Sequence, residues 1–123
     1  RQLVNQDDLL LALAGFTPVE LSQYSIKEQM QLFDSATHVI ATHGAGLTNL
    51  LWCQHGATVI EINHIEQVDK KVYPVLSKNC GLIHKVLYGE KVKLGYKNKP
   101  KGIKRINDMA NIQINIQEVL ECL

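Results

Sequence analysis

A histidine followed by two closely spaced glycines is the strongest chemical signal in the sequence. The segment 43–49 lies between an apolar, β-branched run and a stretch of helical composition. Glycine lets the main chain approach a ligand closely, and the N–H groups at the start of a helix attract anions. The segment therefore predicts an anion cradle, whose binding residues would be Gly44, Ala45, Gly46, Leu47, Thr48 and Asn49. Gly-x-Gly turns also serve simply to pack a helix on a strand, so both interpretations stay open.

A carboxylate in the next apolar run favours ligand binding. Glu61 interrupts the run 57–62, near the carboxyl end of a predicted strand. A carboxylate is costly to bury without hydrogen-bond donors. The two hydroxyls of a ribose would supply donors, as they do at this place in nucleotide-binding folds. The alternative is a glutamate that is satisfied by nearby backbone N–H groups.

His43 has two interpretations as well. Its imidazole can donate a hydrogen bond to a phosphate oxygen and stabilise a departing group, or it can cap the turn; we favour ligand contact. The other four histidines are scattered, and the sequence predicts no metal site. The three cysteines lack a CxxC pattern, which favours reduced thiols and a cytoplasmic protein; they are Cys53, Cys80 and Cys122.

Patterns of helix and strand alternate around these residues. Predicted helices cover 6–14 (capped by Asn5), 26–35 (opened by a Ser25–Glu28 capping box), 47–53, 68–79 and the end of the chain (capped by Asn115). Predicted strands cover 38–42, buried on both faces, then 58–62, 82–88 and 111–114. This order predicts an α/β domain over 1–123, with a Rossmann-like, mostly parallel sheet and helices on both faces. In such sheets ligands bind at the carboxyl ends of strands, where segment 43–49 and Glu61 fall.

Composition and charge narrow the class of protein. The 123 residues are 46% apolar and 20% charged, which is typical of one water-soluble domain. Residues 85–105 carry eight basic side chains and one acidic side chain. We interpret 89–107 as a basic, mobile loop, either simply solvated or facing an anionic ligand. Because the chain begins with a helix, we expect a preceding strand to be missing and the chain to be the carboxy-terminal piece of a longer protein.

Several segments resemble, in order and spacing, the signature of glycosyltransferase family 61. They are 41–51 (Ala-Thr-His-Gly-Ala-Gly-Leu-Thr-Asn-Leu-Leu), 56–62 (Gly-Ala-Thr-Val-Ile-Glu-Ile), and upstream Arg1, Asn5, Asp7, Gly15-Phe16, Glu28-Gln29 and Leu32-Phe33. The resemblance implies the carboxy-terminal, donor-binding half of a two-domain GT-B enzyme, which inverts the anomeric carbon without an obligatory metal or cofactor. Carried over, segment 43–49 would hold the diphosphate of a nucleotide sugar, most simply a UDP-sugar. Glu61 would hold the ribose and Arg1 a phosphate.

The same resemblance sets expectations for the whole protein. An upstream domain would bind a glycan acceptor, and the reaction would serve polysaccharide or glycan biosynthesis, with bacterial capsular polysaccharide as the expected setting. Peripheral membrane association of the full-length protein stays open. The chain alone is expected to bind nucleotide without transferring sugar, because no general base for the acceptor is visible in it.

Other functions fit the sequence less well. The first alternative is a non-catalytic nucleotide-binding or anion-binding α/β module. A dinucleotide oxidoreductase is disfavoured, because the 44–49 turn lacks the third glycine of G-x-G-x-x-G. Nucleic-acid binding through residues 91–105 is weaker still, since no known module accompanies the basic stretch, and no nucleic-acid partner is predicted.

Overall fold

A computed structural model of the chain describes residues 3–67, 69–92 and 111–123. The elements are helix α1 (Gln6–Ala12), a short 3₁₀ turn (Leu21–Gln23), helix α2 (Ile26–Ser35), strand β1 (His38–Thr42), a 3₁₀ helix (Ala45–Trp52), strand β2 (Thr58–Asn63), helix α3 (Val72–Asn79), strands β3 (Ile83–Tyr88), β4 (Glu90–Val92) and β5 (Asn111–Gln113), and helix α4 (Ile116–Glu121). Helix and strand alternate as predicted from α2 to β3, whereas β4 follows β3 directly. Within the described ranges, no helix has the length and apolar character needed to cross a membrane.

The first three strands form a parallel sheet in the order β1-β2-β3. Thr58 of β2 is in register with His38 of β1 and with Ile83 of β3. The predicted α/β class with a parallel sheet is confirmed. The prediction that 38–42 is buried on both faces is wrong, because β1 is only half-buried apart from its exposed first residue. Full burial belongs instead to β2, which has a neighbouring strand on each side.

Helices cover both faces of this sheet, as predicted. Side chains of a strand alternate between its faces, so Ile60 and Ile62 share one face and Val59 lies on the other. The isoleucines pack in one core cluster with residues of α1, β5 and α4. Val59 packs in a second cluster with residues of α2, the 3₁₀ helix and α3. Each cluster buries apolar side chains on its own side of β2, which stabilises the layered arrangement.

Helix α2 begins at the predicted capping box. The Glu28 N–H donates to Ser25 Oγ at 3.2 Å, and the Ser25 N–H donates to the Glu28 carboxylate at 2.7 Å. Hydrogen bonds from the Ser25 main chain and side chain hold the pKa of Glu28 below its ordinary value. The helix ends at Ser35, also as predicted.

The cap predicted for α1 is wrong. Asn5 precedes the helix, but its side chain makes no capping hydrogen bond. Its amide instead pairs with the main chain of Ile114: Nδ2 donates to the carbonyl at 2.8 Å, and Oδ1 accepts from the N–H at 3.2 Å. The helix also ends at Ala12 rather than at residue 14. The asparagine therefore joins the two ends of the chain, because a distant backbone offers it both a donor and an acceptor.

Helix α3 is shorter than the predicted 68–79. It begins at Val72, and Val68 lies outside the described residues. Pro74 explains the late start, because proline has no N–H to donate and is tolerated only within the first turn of a helix. The helix ends at Asn79, and Gly81 follows with a φ of +69°. A Cβ at Gly81 would lie 2.1 Å from the ring of His55, so both conformation and space require glycine there.

The carboxy-terminal elements correct one prediction and confirm two. Strands β4 and β5 pair antiparallel in a separate two-stranded sheet. The predicted loop 89–107 is therefore wrong where it includes β4, and its residues 93–107 lie outside the described residues. The last predicted strand is confirmed as β5. Asn115 caps α4 as predicted, since its Oδ1 accepts from the Gln117 N–H at 3.0 Å.

Candidate functional site

The 43–49 turn follows the carboxyl end of β1, as predicted. The His43 N–H donates to the Ile62 carbonyl at 2.8 Å, which ties the start of the turn to β2. The helix predicted over 47–53 is a 3₁₀ helix that begins two residues earlier, at Ala45. Asn49 Nδ2 donates to the Gly46 carbonyl at 3.2 Å and to Gln29 Oε1 at 3.1 Å. The Asn49 amide therefore holds the turn against α2.

A cleft of about 270 Å³ lies beside this turn, at the carboxyl end of β1. It is lined by Val19, Glu20, Leu21, Phe33, Ala41, Thr42, Gly44, Gly46 and Leu47. Three of the predicted binding residues thus lie on its wall: Gly44, Gly46 and the buried Leu47. Ala45 and Thr48 are exposed, and neither is among the lining residues. The position of the cleft matches the ligand position expected for a parallel sheet.

The two glycines of the turn differ in what the fold requires of them. A Cβ on Gly46 would lie 2.9 Å from Leu21 Cδ1, so a side chain there would displace the end of the Leu21 side chain. Gly44 has a φ of 173°, which is extended backbone open to any residue. A Cβ there would find its nearest neighbour, the Thr42 carbonyl oxygen, at 3.9 Å. Neither backbone conformation nor packing requires glycine at position 44. Because glycine has no side chain, the main chain itself forms the cleft wall at this position.

Behind the turn, Glu61 is completely buried and hydrogen-bonded. In the parallel register Ala41 of β1 lies opposite Glu61 of β2, and the next side chain on that face of β1 is His43. Glu61 Oε1 bonds His43 Nδ1 and accepts from Asn63 Nδ2 at 3.4 Å, and Glu61 Oε2 bonds His84 Nε2 at 2.8 Å. The structure thus brings two predicted site residues, His43 and Glu61, into direct contact.

The hydrogen bonds continue from Glu61 to helix α3. Ser77 Oγ lies 2.6 Å from His84 Nδ1, and Ser77 is itself fully buried. The ring of Tyr73, also on α3, meets the His43 ring edge-on with centroids 5.0 Å apart. A buried polar network of Ser77, His84, Glu61 and His43 therefore crosses the sheet from α3 to the turn. We refer to these four residues as the Glu61 network.

The network keeps Glu61 ionised. Burial of the carboxyl acts to raise its pKa, but hydrogen bonds from His84 and then His43, together with the charges of both imidazoles, outweigh it. The pKa of Glu61 therefore lies below its ordinary value. A buried carboxylate in this state needs its donors, because the loss of one would leave a charge uncompensated.

The network and the cleft have no residue in common. Neither His43 nor Glu61 is among the residues that line the cleft, and the His43 side chain is 9% exposed. A carboxylate with no exposed surface offers no oxygen to a ribose in this conformation. The ribose contact assigned to Glu61 stays a prediction, and it would require a hydroxyl to replace an imidazole. Arg1, assigned to a phosphate, lies outside the described residues.

Two parts of this site were missed by the sequence analysis. His84 and Ser77 come from β3 and α3, and their contact with Glu61 depends on the strand register, for which no local pattern exists. Segment 19–21, which was not predicted to belong to the site, forms part of the cleft wall. It contributes Glu20, an exposed carboxylate that accepts a hydrogen bond from Ser22 Oγ at 2.9 Å.

The network does not have the form of a metal site. Each imidazole contacts a different oxygen of the Glu61 carboxylate, so the three side chains do not converge on one point. Across residues 3–67, 69–92 and 111–123, no group of three or more histidine, cysteine or acidic side chains is arranged to hold a metal ion.

The 43–49 turn lies within a segment that matches a known protein family. Residues 1–60 match the model of the family described as Glycosyltransferase 61. The chain is 30% identical over 101 residues to chicken EGF domain-specific O-linked N-acetylglucosamine transferase, covering 76% of this chain and 18% of the relative. It is 36% identical over 67 residues to Xenopus laevis protein O-linked-mannose beta-1,4-N-acetylglucosaminyltransferase 2, covering 50% of this chain and 12% of the relative. No solved structure matches.

The family match covers the 43–49 turn and the strand before it. The chain spans less than a fifth of the length of either relative. Both relatives are animal proteins, and both are named as transferases of N-acetylglucosamine. With the α/β sheet and the 43–49 turn in their expected places, the match over residues 1–60 identifies the chain as a member of the glycosyltransferase 61 family.

Proposed function

We propose that this chain is the donor-binding part of a glycosyltransferase, and that its 43–49 turn binds the diphosphate of a nucleotide sugar. The observation that carries the proposal is Gly44, a bare position on the cleft wall that neither backbone conformation nor packing explains. Family membership supports the same reaction class. The donor half of a GT-B enzyme is the architecture in which this part would act.

The turn has the groups that a diphosphate needs. A helix start and a glycine-bearing turn place main-chain N–H groups beside a cleft at the carboxyl end of β1. A hydrogen bond to a charged group contributes about 1.5 to 3 kcal/mol, so two or three of them reach the roughly 4.1 kcal/mol of millimolar binding. These donors are held in place by the Asn49 amide and by the His43 main chain.

The same donors would assist the chemical step. When the bond from the sugar to the nucleotide breaks, negative charge develops on the departing diphosphate, and preorganised donors stabilise that charge in the transition state. His43 begins the turn, and its imidazole is held by Glu61 behind the cleft. We propose that His43 helps to stabilise this leaving group during an inverting displacement. The acceptor and its general base would come from other parts of the whole protein.

Glu20 gives the cleft a carboxylate of its own. It lines the same cleft as Gly44 and Gly46, and it is exposed. A carboxylate repels a phosphate but accepts hydrogen bonds from sugar hydroxyls. We therefore assign Glu20 to a hydroxyl of the donor, either on the ribose or on the sugar that is transferred.

The relatives suggest which donor to test first. Both are named for N-acetylglucosamine transfer, one specific for EGF domains and one acting on protein O-linked mannose. We propose UDP-N-acetylglucosamine as the donor and a glycan or glycosylated protein as the acceptor. Neither relative supports the bacterial capsular setting that we expected from the sequence, since both are animal proteins.

Calorimetric titration of UDP and UDP-N-acetylglucosamine into the 123-residue chain tests this proposal. We expect Gly44→Val to lower the affinity at least tenfold, about 1.4 kcal/mol, because its side chain would fill the space beside the turn. The same substitution should leave the unfolding temperature close to that of the wild type, because extended backbone and open space accept a side chain at this position.

Two control variants distinguish an effect on the binding site from an effect on the fold. Ala14→Val adds a similar bulk at an exposed position after α1 and should bind like the wild type. Glu20→Gln should weaken UDP binding less than Gly44→Val does, because only a hydroxyl contact is affected. Equal binding by the wild type and Gly44→Val would contradict the proposed site.

The second candidate function is a nucleotide-binding module without catalysis. It is favoured by the position of His43, whose side chain is mostly buried and does not line the cleft. Release of UDP from UDP-N-acetylglucosamine by the full-length protein, in the presence of an acceptor, distinguishes the two. A module without catalysis would bind UDP and release none from the sugar nucleotide.

A further inference from the structure

The side chain of Gln29 joins two segments that line the cleft. Gln29 is a half-buried residue of α2 and is not itself among the lining residues. Its Nε2 donates to the Leu21 carbonyl at 2.9 Å and to the Tyr24 carbonyl at 3.1 Å. Its Oε1 accepts from Asn49 Nδ2 at 3.1 Å. A primary amide has two N–H donors and one carbonyl acceptor, so Gln29 uses both donors on one segment and its acceptor on the other.

The two segments joined by this amide have different parts in the proposed site. Segment 20–24 lines the cleft with Glu20, which we assign to a hydroxyl of the donor, and with Leu21. The 43–49 turn lines it where we place the diphosphate. The segments lie close together, since a Cβ on Gly46 would be 2.9 Å from Leu21 Cδ1. Leu21 also packs in the second core cluster, but apolar contact is non-directional and does not by itself fix a distance.

Each segment also has main-chain hydrogen bonds of its own. In the turn the Leu47 N–H donates to the Gly44 carbonyl at 3.0 Å, and before α2 the Gln23 N–H donates to the Glu20 carbonyl at 3.0 Å. These bonds fix the shape of each segment but not the distance between the two. The Gln29 amide contacts both segments, so it is placed to fix that distance.

We propose that Gln29 is a positioning residue that sets the spacing between the 43–49 turn and segment 20–24, and that it thereby favours an intact nucleotide sugar over a bare diphosphate. A nucleotide sugar would contact the turn through its diphosphate and Glu20 through a hydroxyl, so its binding depends on that spacing. Inorganic pyrophosphate has no sugar hydroxyl and needs the turn alone. This inference rests on the proposed function, because it needs a donor in the cleft.

Calorimetric titration of UDP-N-acetylglucosamine and of inorganic pyrophosphate into the 123-residue chain tests the inference. Gln29→Met keeps a similar length but has no amide. We expect it to lower the affinity for UDP-N-acetylglucosamine about three- to tenfold, as the loss of one hydrogen bond would, and to leave that for pyrophosphate unchanged. Gln29→Glu keeps an acceptor for Asn49 but no donor for the two carbonyls, and it should show the same selective loss. Gln31→Met, at an exposed position of the same helix, is the matched control and should bind like the wild type.

A double-mutant cycle with Glu20 distinguishes positioning from stability. Glu20→Gln should weaken the binding of UDP-N-acetylglucosamine to the wild type. It should change the affinity little when Gln29→Met is already present, because the carboxylate is then no longer held against the hydroxyl. A merely structural Gln29 would lower the unfolding temperature, weaken the binding of both probes alike and leave the effect of Glu20→Gln unchanged. That result would overturn the inference.

The two probes separate this inference from the function on which it rests. If the wild type binds both probes and the Gln29 variants lose affinity for both equally, or for neither, the inference is overturned and the proposed function stands. If the wild type binds neither probe, both are overturned. Gln29→Glu decides the matter by itself where Gln29→Met does not fold. Failure of both variants to fold would make Gln29 a structural residue and would also overturn the inference.

Discussion

The two faces of strand β2 are buried by different means. On one face, Ile60 and Ile62 pack among apolar side chains from α1, β5 and α4. On the other face, Val59 packs in the second apolar cluster, but Glu61 and Asn63 are just as completely buried and are polar. Glu61 is hydrogen-bonded to His43 and His84, and Asn63 donates to Glu61 and accepts from the His64 N–H, so their burial does not depend on apolar contact alone.

The difference separates stability from function. An apolar face needs the right volume and tolerates exchange of similar side chains, whereas a buried carboxylate needs each of its donors in place. The polar face is also the one that continues into the 43–49 turn through His43. We conclude that the face of Ile60 and Ile62 serves to hold the domain together, while the Glu61 face, which also buries Val59 in the second core cluster, holds the turn in position as well.

The largest expected effect comes from removing the carboxylate. Glu61→Ala should lower the free energy of unfolding by about 3 to 5 kcal/mol, because two buried imidazoles and an amide lose their common acceptor. Chemical denaturation of the 123-residue chain measures it. The matched control is Glu66→Ala, which removes an exposed carboxylate 2.8 Å from Lys91 and should cost no more than about 1 kcal/mol. Equal losses in the two variants would contradict a special role for the polar face.

A smaller loss of stability is expected at acid pH, where protonation removes the charge of Glu61 but leaves its side chain in place. The pKa of Glu61 is lowered in the folded chain, so its contribution to stability is complete above its ordinary value of 4.5. That contribution should be lost as the pH falls below 4.5 and through the lowered pKa. The free energy of unfolding, measured against pH, should fall less steeply in Glu61→Gln. Glu28, whose pKa is also lowered, adds to the acid slope of both proteins. Identical slopes would count against the network.

The smallest expected effect belongs to the apolar face. Ile62→Val removes one methylene group from a fully buried side chain and should cost about 0.5 to 1.5 kcal/mol of unfolding free energy. We expect its affinity for UDP to equal that of the wild type, because the change lies on the face away from the turn. A marked loss of affinity would show that the apolar face also shapes the site, and the division between the faces would fail.

Local patterns predicted local structure well. The Ser25–Glu28 capping box and the Asn115 cap are confirmed, since each depends only on residues within one helical turn. The parallel α/β class follows from the alternation of helix and strand, and it is confirmed. Asn5 shows the limit of such reasoning, because its side chain pairs with Ile114, 109 positions away, rather than with the helix beside it.

The candidate site was predictable only in part, for the same reason. The 43–49 turn and the exceptional position of Glu61 are visible in the sequence, and the structure brings Glu61 to His43. The partners that satisfy Glu61 were expected to be ribose hydroxyls or nearby backbone, whereas in the structure they are side chains. His84 reaches Glu61 from β3 because of a register that only the assembled sheet defines.

The most direct test of the account is a map of where UDP touches the chain. In ¹⁵N-resolved NMR spectra of the 123-residue chain, titration with UDP should shift the amide signals of Gly44, Ala45 and Gly46 most. The Gly44→Val variant should shift them little at the same UDP concentration. The largest shifts would instead fall on Tyr24, Glu28 and Gln31 if UDP occupied the cleft of about 280 Å³ along α2. That result, or saturable binding with the 43–49 amides unmoved, would contradict the assignment of the turn to the donor.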